Sequence, residues 1–207
     1  MNASKLTTFY IVRHGETDWN NKKLLQGFTD IALNKTGENQ AKDLAVVLKD
    51  VKFDLAFSSD LVRAKKTAEI IVLEKKLAVE TTRLLRERTF GKFEGKPLSD
   101  FHSAQKLLKD LSYEQRRTHH MAEDMESDEE VARRVFTFIR EIAIANLGKT
   151  ILLTTHGGIL RTILIHLGQM SYEESDNSKV SNGAYVVLET DGVDFFVKKV
   201  TGFKPRE

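Results

Sequence analysis

The stretch Thr8–Asn20, TFYIVRHGETDWN, decides the fold because it joins a strand directly to chemically active side chains. Its apolar run Phe9–Val12 has the β-branched and aromatic character of a buried strand. The run stops at Arg13, His14 and Gly15. If the rest of the chain supplies partners for this histidine, the stretch indicates a functional site. The alternative is a structural histidine bonded to backbone, with the arginine at the surface.

The composition is typical of a globular protein. The chain has 207 residues, of which 41% are hydrophobic and 30% charged. This length suits a single domain over residues 1–207, and no Ser/Gly-rich stretch indicates a linker. Because the chain has no cysteine, disulfides, thiolate metal sites and cysteine nucleophiles are excluded.

The charge balance argues against nucleic acid or membrane as a partner. Lys and Arg total 32 against 30 for Asp and Glu, so any anion site must be a local concentration of charge. No basic stripe with interleaved aromatic residues is visible. The N-terminus lacks the apolar core of a signal peptide, and no apolar run reaches membrane-spanning length. We therefore expect a cytoplasmic protein.

Strands and helices alternate along the sequence. Apolar spacing predicts helices over residues 33–50, with Asn34 as N-cap, over 60–71 and over 131–147. Strands are predicted over 53–59 and 150–155, and a hairpin near Asp191-Gly192. The alternation predicts an α/β fold of three layers, α/β/α, with a mainly parallel central sheet. In such sheets ligands bind at the carboxyl ends of the strands.

A second histidine stands at a predicted strand end. In LLTTHGGILR the strand stops at His156, and Gly157 with Gly158 opens the next helix. A helix N-terminus offers unpaired N–H groups, and glycine lets an anion approach the backbone closely. A turn beside a structural histidine is the alternative. Two strand-end histidines, each followed by glycine, favour one anion site at the same edge of the sheet.

Arg63 in SSDLVRAKKTA is the third candidate. Because Leu61 and Ala64 face the core, the spacing predicts that Arg63 lies off the buried face, in the first helical turn near the strand-end crevice. A guanidinium there can grip two phosphate oxygens, and Arg13 would supply a second such group. The alternative is a solvated arginine beside two lysines.

These residue types are those of phosphoryl transfer through a histidine nucleophile. A neutral imidazole of His14 would attack phosphorus while Arg13, Arg63 and His156 hold the equatorial oxygens. Two guanidiniums and an imidazolium would supply the positive charge that Mg²⁺ gives elsewhere, so neither a metal nor another cofactor is expected.

A general acid must still protonate the leaving oxygen. LLRERTFGKFEGK supplies two candidates, Glu87 and Glu94. The chemistry of the side chains alone does not separate them. His119 and His120 could bind a metal, but adjacent histidines in a polar stretch without a third ligand are more simply solvated. His102 is within reach of the mouth of the site, although surface exposure is the simpler expectation.

Five motifs, in order along the chain, together resemble the phosphoglycerate-mutase-like branch of the histidine phosphatase superfamily: RHGETDWN, LQGFTDIALNKTGENQA, FSSDLVRAKKTA, LRERTFGKFEG and TTHGGILRTIL. The resemblance runs from about Phe9 to Leu167. It implies a phosphoglycerate-mutase-like fold with a small lid insertion at roughly residues 92–130.

The resemblance also implies residue roles. His14 resembles the phosphorylated histidine of the family, and Arg13, Arg63 and His156 resemble its phosphate pocket, with Asn20 as a further donor.

Beyond that pocket, Glu87 stands where the family has its proton donor, whereas Glu94 resembles a structural residue. Gln26 and Gly27 fall where family members line the substrate mouth, and Gly157 lies at the phosphate.

Hydrolysis is favoured over mutase activity. The resembling mutases carry a longer, proline-containing insertion with an arginine pair and tend to have threonine where this chain has Gln26. The motifs are similar to those of fructose-2,6-bisphosphatase-like phosphatases, which suggests a small phosphorylated metabolite, such as a sugar phosphate or bisphosphate, as substrate. A cofactor-dependent phosphoglycerate mutase and a phospholigand-binding module with little turnover stay open as alternatives. So does a homodimer.

Overall fold

A six-stranded sheet flanked by helices forms the centre of the computed structural model, which describes residues 5–206. Residues 1–4 and 207 lie outside the described residues. The predicted single domain over residues 1–207 includes them, and residues 1–4 belong to the N-terminus predicted to lack a signal peptide. The strands are β1 (Thr7–Arg13), β2 (Leu55–Ser59), β3 (Val79–Thr82), β4 (Thr150–Thr155), β5 (Ser178–Thr190) and β6 (Phe195–Pro205). The helices are α1 (Asp18–Asn21), α2 (Lys35–Val47), α3 (Val62–Val72), α4 (Leu98–Gln105), α5 (Tyr113–Thr118), α6 (Asp128–Ala145), α7 (Gly157–His166) and α8 (Tyr172–Asp176).

The sheet is mainly parallel, as predicted. Its strand order is β3-β2-β4-β1-β5-β6. The pairs β3/β2, β2/β4 and β4/β1 are parallel, whereas β5 pairs antiparallel with both β1 and β6. The last two strands form the predicted hairpin, which turns through Asp191-Gly192. The carboxyl ends of β1, β2 and β4 therefore meet at one edge of the sheet, where α/β proteins bind ligands.

Helices cover both faces of the sheet, because successive strand residues point to opposite sides. Ile11 of β1 packs with α6 and α7 on one face, whereas its neighbour Val12 packs with α2 and α3 on the other. In β4, Leu153 and Leu152 divide in the same way. These strands are buried on both sides, which is why they read as continuous apolar runs.

The helix starts follow local capping. The Asn34 side chain accepts a hydrogen bond of 2.8 Å from the Gly37 N–H and begins α2, as predicted. Helix α6 begins at Asp128, three residues before the predicted start, because Ser127 and Glu130 form a capping box. The acidic first turn suits the positive end of the helix dipole.

A third, smaller apolar cluster joins the segment between β3 and α6 to the loop that follows α1. It consists of Leu25, Phe90, Phe101, Ala122 and Met125. The cluster fastens α4 and its flanking turns to the loop after β1. This segment contains the stretch expected to act as a lid, a role that stays a prediction.

Candidate active site

His14 and His156 lie side by side because they follow neighbouring parallel strands. Arg13 of β1 and Thr155 of β4 are in register, so the next residue of each strand leaves the sheet at the same edge. The His14 N–H donates to the Thr155 carbonyl over 3.0 Å. The two imidazole centroids are 5.1 Å apart with the ring planes at 64°. A tetrahedral anion bound at this edge would contact both rings.

The His14 ring is fixed in one tautomer. Its Nδ1 lies 2.6 Å from the Gly15 carbonyl oxygen, which can only accept, so Nδ1 carries the hydrogen and Nε2 bears the lone pair. The side chain is buried, and burial, followed by the charges of Arg63 and Arg13, holds the pKa of His14 well below its ordinary value. The imidazole is therefore neutral at pH 7, as a nucleophile requires.

His156 is also buried, at the N-cap position of α7. Within residues 5–206, neither of its ring nitrogens has a hydrogen-bond partner. Burial, then the charges of Arg63 and His14, lowers the pKa of His156 well below its ordinary value. Buried polar nitrogens without partners are rare and need an explanation. A bound oxyanion at the strand ends would supply one.

Arg63 holds the loop that follows α1. Its two terminal nitrogens donate to the carbonyl oxygens of Gly27, at 2.7 Å, and Thr29, at 2.9 Å. Its Nε has no partner among the described residues. Burial lowers the pKa of this guanidinium to about 10, so it stays charged at neutral pH. Its remaining N–H groups are available to an anion.

The prediction that Arg63 lies off the buried face is wrong. Leu61 and Ala64 do face the core, but the Arg63 side chain is 0% exposed as well. The loop over residues 25–30 closes on the other side of α3, where Asp30 accepts a hydrogen bond of 2.8 Å from the Val62 N–H. Helical spacing identifies the face turned to the sheet, and a loop arriving from elsewhere in the chain is invisible to it.

Arg13 lies on the other flank of the histidines. It donates to the Val180 carbonyl of β5, and its Nε, which lies near Gly157, has no partner in the described part of the chain. Burial, together with the charge of Arg63, lowers the pKa of Arg13 to about 10. Both arginines thus carry their charge next to the imidazoles, as the sequence predicts.

The Glu87 side chain is hydrogen-bonded to the first turn of α7, the helix that follows His156. Its Oε2 accepts a hydrogen bond of 2.9 Å from the Gly158 N–H, and its Oε1 accepts one of 2.9 Å from the Arg88 N–H. A Cβ at position 158 would lie 2.3 Å from Oε1, so any larger residue there would displace the Glu87 carboxylate. Arg134 supports this turn by donating to the backbone carbonyls of Arg86 and Glu87. The carboxylate is therefore held at the N-terminus of α7.

Glu94 is a structural residue. Its carboxylate accepts hydrogen bonds from the N–H groups of Phe28, Thr29 and Phe90 and from the Thr29 hydroxyl. Gly27 has a φ of +53°, and a side chain there would clash with the Glu94 carboxylate. Glu94 thus shapes the loop that Arg63 holds, and its bonding distinguishes it from Glu87.

The two remaining predicted residues are differently placed. Gln26 is buried, and its Oε1 accepts a hydrogen bond of 3.0 Å from the Thr17 hydroxyl, so its side chain supports the loop instead of lining an open mouth. The Asn20 Oδ1 accepts from the Thr17 N–H at 3.1 Å and from Asn182 Nδ2 at 3.3 Å. These contacts engage the oxygen of the Asn20 amide, so its Nδ2 is the group that can still donate.

Asn182 was not predicted from the sequence. Its Nδ2 donates a hydrogen bond of 3.1 Å to the His14 carbonyl and one of 3.3 Å to the Asn20 Oδ1. It stands at a register irregularity of β5, between Val180 and Tyr185. A bulge of this kind re-aims side chains, and the only signal in the sequence is the Asn182-Gly183 pair at the start of the predicted hairpin. Arg161 was missed as well, although it follows His156 by little more than one helical turn.

The adjacent histidines of the polar stretch lie at the surface. His119 is exposed, and His120 Nδ1 lies 2.9 Å from the Met125 carbonyl. His102, by contrast, is half-buried. Across residues 5–206, no group of three His, Asp or Glu side chains has the arrangement of a metal site. None of the helices described combines the length and apolar character needed to cross a membrane.

Comparison with known proteins gives the same family as the motifs. A family model described as "Histidine phosphatase superfamily (branch 1)" matches residues 9–201. The chain is 35% identical over 162 residues to "Uncharacterized phosphatase PhoE" of Bacillus subtilis, covering 78% of each protein. It is 32% identical over 182 residues to a 2,3-bisphosphoglycerate-dependent phosphoglycerate mutase of Cytophaga hutchinsonii, covering 84% of this chain and 83% of that protein.

A solved structure agrees at the level of the fold. Bacillus stearothermophilus YhfR superposes with a TM-score of 0.80 at 28% identity, covering 95% of this chain and 96% of that one. Because the family model matches most of the chain, the chain belongs to branch 1 of the histidine phosphatase superfamily.

Proposed function

We propose that this enzyme, a phosphatase or mutase by family, is a phosphatase that hydrolyses a small phosphomonoester through a phosphohistidine on His14. The observation that carries the proposal is the pairing of two buried imidazoles 5.1 Å apart between Arg13 and Arg63. An anion is the ligand that would satisfy the unpaired nitrogens and neutralise the surplus positive charge.

In the first step, Nε2 of His14 attacks phosphorus while the bond to the ester oxygen breaks. The Nδ1–H stays hydrogen-bonded to the Gly15 carbonyl oxygen, which stabilises the imidazolium-like ring as it forms. Arg13, Arg63 and His156 hold the non-bridging oxygens, whose charge they stabilise without the aid of a metal.

Glu87 gives its proton to the leaving oxygen in this step. A water molecule then attacks the phosphohistidine, and Glu87 takes a proton from it as general base. Inorganic phosphate leaves, and His14 returns to its neutral form. The Glu87 carboxyl group thus donates a proton in the first half-reaction and accepts one in the second, as reversible acid–base catalysis requires.

Phosphate release from a panel of small phosphoesters in excess EDTA tests the proposal. We expect turnover by the natural chain and a loss of about 10³-fold or more for His14→Ala, the scale seen when a covalent nucleophile is removed. His120→Ala, a surface change, is the matched control and should retain activity. Full activity of His14→Ala would refute the mechanism, and a requirement for metal would refute metal independence.

Mutase activity is the alternative, supported by the likeness to the Cytophaga hutchinsonii enzyme. A mutase needs free cations for a second phosphate while the phosphoenzyme stays shielded from water. This chain also has two adjacent arginines, Arg116 and Arg117 of α5, but both are already paired: Arg116 bonds Asp176 and Arg117 bonds Glu114, both at 2.8 Å. This favours hydrolysis. Interconversion of the two phosphoglycerates faster than phosphate release would favour the mutase, whereas ester binding without turnover would favour a binding module.

A further inference from the structure

A pocket lies at the opposite end of α7 from the catalytic histidines. It has a volume of about 200 Å³ and is formed by α5, α6 and the last residue of α7, His166. At 1.5 Å per residue, α7 places His166 ~15 Å along the helix axis from His156. Sites for drug-sized ligands have volumes of ~300–1,000 Å³. A cavity of this size is therefore suited to a smaller ligand.

The base of the pocket is aromatic. Phe136 of α6 is buried there, and its ring centroid lies 4.5 Å from that of His166, with the ring planes at 35°. Behind it, Phe195 of β6 meets Phe136 edge to face at 5.2 Å. These contacts hold the imidazole against α6. A ligand in the pocket would rest on aromatic carbon atoms and meet polar groups at the walls.

Three arginines stand on the walls: Arg117 of α5 and Arg133 and Arg140 of α6. Arg117 bonds Glu114 at 2.8 Å, and Arg133 lies 3.4 Å from Glu129. Both ion pairs are formed within a single helix and are partly exposed, so each contributes little to stability and is readily exchanged. Since two carboxylates serve three guanidiniums, one positive charge is uncompensated.

Several N–H groups of these arginines have no protein acceptor. The Nε of Arg117 is buried without a partner within residues 5–206. Arg140 has no carboxylate partner in the described part of the chain, and its guanidinium lies over the Phe195 ring, 5.3 Å from the centroid. A guanidinium stacked on an aromatic ring keeps its N–H edge free for an oxyanion. Two elements, α5 and α6, thus present unsatisfied donors to one cavity.

His166 adds a neutral group that can gain a proton. Partial burial, then the charges of Arg117 and Arg140, lowers the pKa of His166 below its ordinary value, so the imidazole is mainly uncharged at pH 7. The charged groups that line the pocket with it are Arg117 from α5 and Glu129, Arg133 and Arg140 from α6. A bound anion would offset the arginines and favour the protonated imidazole. The pocket would then carry a second positive charge, which suits a doubly charged anion.

We propose that this pocket, between Arg117, Arg140 and His166, is a second anion site that binds a phosphate group, either as inorganic phosphate or as part of a small phosphate ester. The planar guanidinium matches two phosphate oxygens, and Phe136 would contact the carbon atoms of an ester. The inference does not rest on the phosphatase activity proposed above, because the pocket shares no residue with the candidate active site.

NMR of the histidine side chains tests the site on the whole chain. Inorganic phosphate would be titrated into His14→Ala, which lacks the proposed nucleophile, with the ionic strength held constant by chloride. The His166 ring signal, assigned by its loss in His166→Gln, should shift and saturate, and the pKa of His166 should rise. A shift that never saturates, or that chloride alone reproduces, would overturn the site.

Substitutions in the same His14→Ala background locate the binding. Arg140→Ala should weaken phosphate binding, followed at His166, by about 5-fold or more, and Arg117→Ala should act in the same direction. Arg83→Ala removes an exposed arginine outside the pocket and is the matched control, with circular dichroism showing that each variant is folded. Unchanged affinity in both pocket variants, or an equal loss in Arg83→Ala, would refute the assignment.

A comparison of ligands distinguishes the two sources of the phosphate group. We expect glycerol 3-phosphate to bind more tightly than inorganic phosphate because of the aromatic base, whereas equal affinities would assign the pocket to free phosphate. Tighter binding of citrate than of either would overturn the preference for phosphate. The His156 ring signal reports the catalytic centre in the same spectra. If Arg140→Ala weakened binding equally at His156 and His166, the two sites would not be separate.

Discussion

Glu87 and Gly158 are joined by a hydrogen bond of 2.9 Å from the backbone N–H to the carboxylate. Glu87 follows the short turn after β3, whereas Gly158 lies in the first turn of α7, directly after the residues that flank the anion site. The contact fixes the proposed proton donor relative to His156 without using a side chain of the helix. The reactive carboxyl group is thus positioned by backbone, which leaves little freedom for it to move.

Replacement of this carboxyl group gives the first prediction. Glu87→Gln keeps the shape of the side chain but removes the transferable proton. We expect kcat/KM for an alkyl phosphate, which reports only the steps up to loss of the leaving group, to fall by about 10²- to 10⁴-fold. The loss for p-nitrophenyl phosphate should be much smaller, because its leaving group departs without a proton. Glu80→Gln, an exposed change on β3, should affect neither substrate, and equal losses on both would exclude Glu87 as the acid.

Gly158→Ala tests the same contact from the other side. The added methyl group would clash with Glu87 Oε1 and displace the carboxylate. We therefore expect the same dependence on the leaving group as in Glu87→Gln, with a loss of at least about 10-fold in kcat/KM for an alkyl phosphate. Circular dichroism should show the folded state. A loss of the same size on both kinds of substrate would mean that the helix itself had shifted.

Replacement of Arg63 should lower both the stability of the fold and the activity of the site. Arg63→Ala leaves the carbonyl groups of Gly27 and Thr29 without their donor, at about 1–3 kcal/mol for each buried group. We expect the free energy of unfolding to fall by about 2–5 kcal/mol, together with a large loss of phosphate release. Urea titration measures the first quantity. Lys65→Ala, exposed on the same helix, should change it by less than about 0.5 kcal/mol. A similarly small effect at Arg63 would contradict the arrangement.

The buried histidines predict a pH dependence. Their pKa values are lower in the folded state than the ordinary 6.5, so below that pH the unfolded chain binds protons that the folded chain does not. The free energy of unfolding should have its full value above pH 6.5. It should fall as the pH decreases below 6.5, by up to about 1.4 kcal/mol per pH unit for each histidine. Urea titrations at pH 7.5 and 5.5 would show this, and His156→Gln should reduce the difference. A natural chain equally stable at both values would be inconsistent with neutral buried imidazoles.

Much of this arrangement is readable from the sequence because it depends on local patterns. The apolar runs that end at His14 and His156 predict two strand ends, and the parallel sheet brings strand ends to one edge. The surroundings of Arg63, Arg161 and Asn182 could not be predicted in this way. Each is positioned by contacts with segments distant along the chain: a loop closing over α3, the start of β5, and the backbone of His14. Glu87 and Glu94 are the same residue type, so the sequence alone does not assign their roles. Their carboxylates differ in the N–H groups from which they accept hydrogen bonds, and only the structure shows this.

The pairing of β1 with β4 has a consequence for how the protein is made. Residues 14–149 separate these two strands along the chain, and one of the two imidazoles follows each strand. A nascent polypeptide that has not yet released β4 from the ribosome holds His14 without its neighbour. Under the proposed mechanism, phosphate chemistry would therefore begin only when β4 has joined the sheet, and fragments that end before β4 would be inactive.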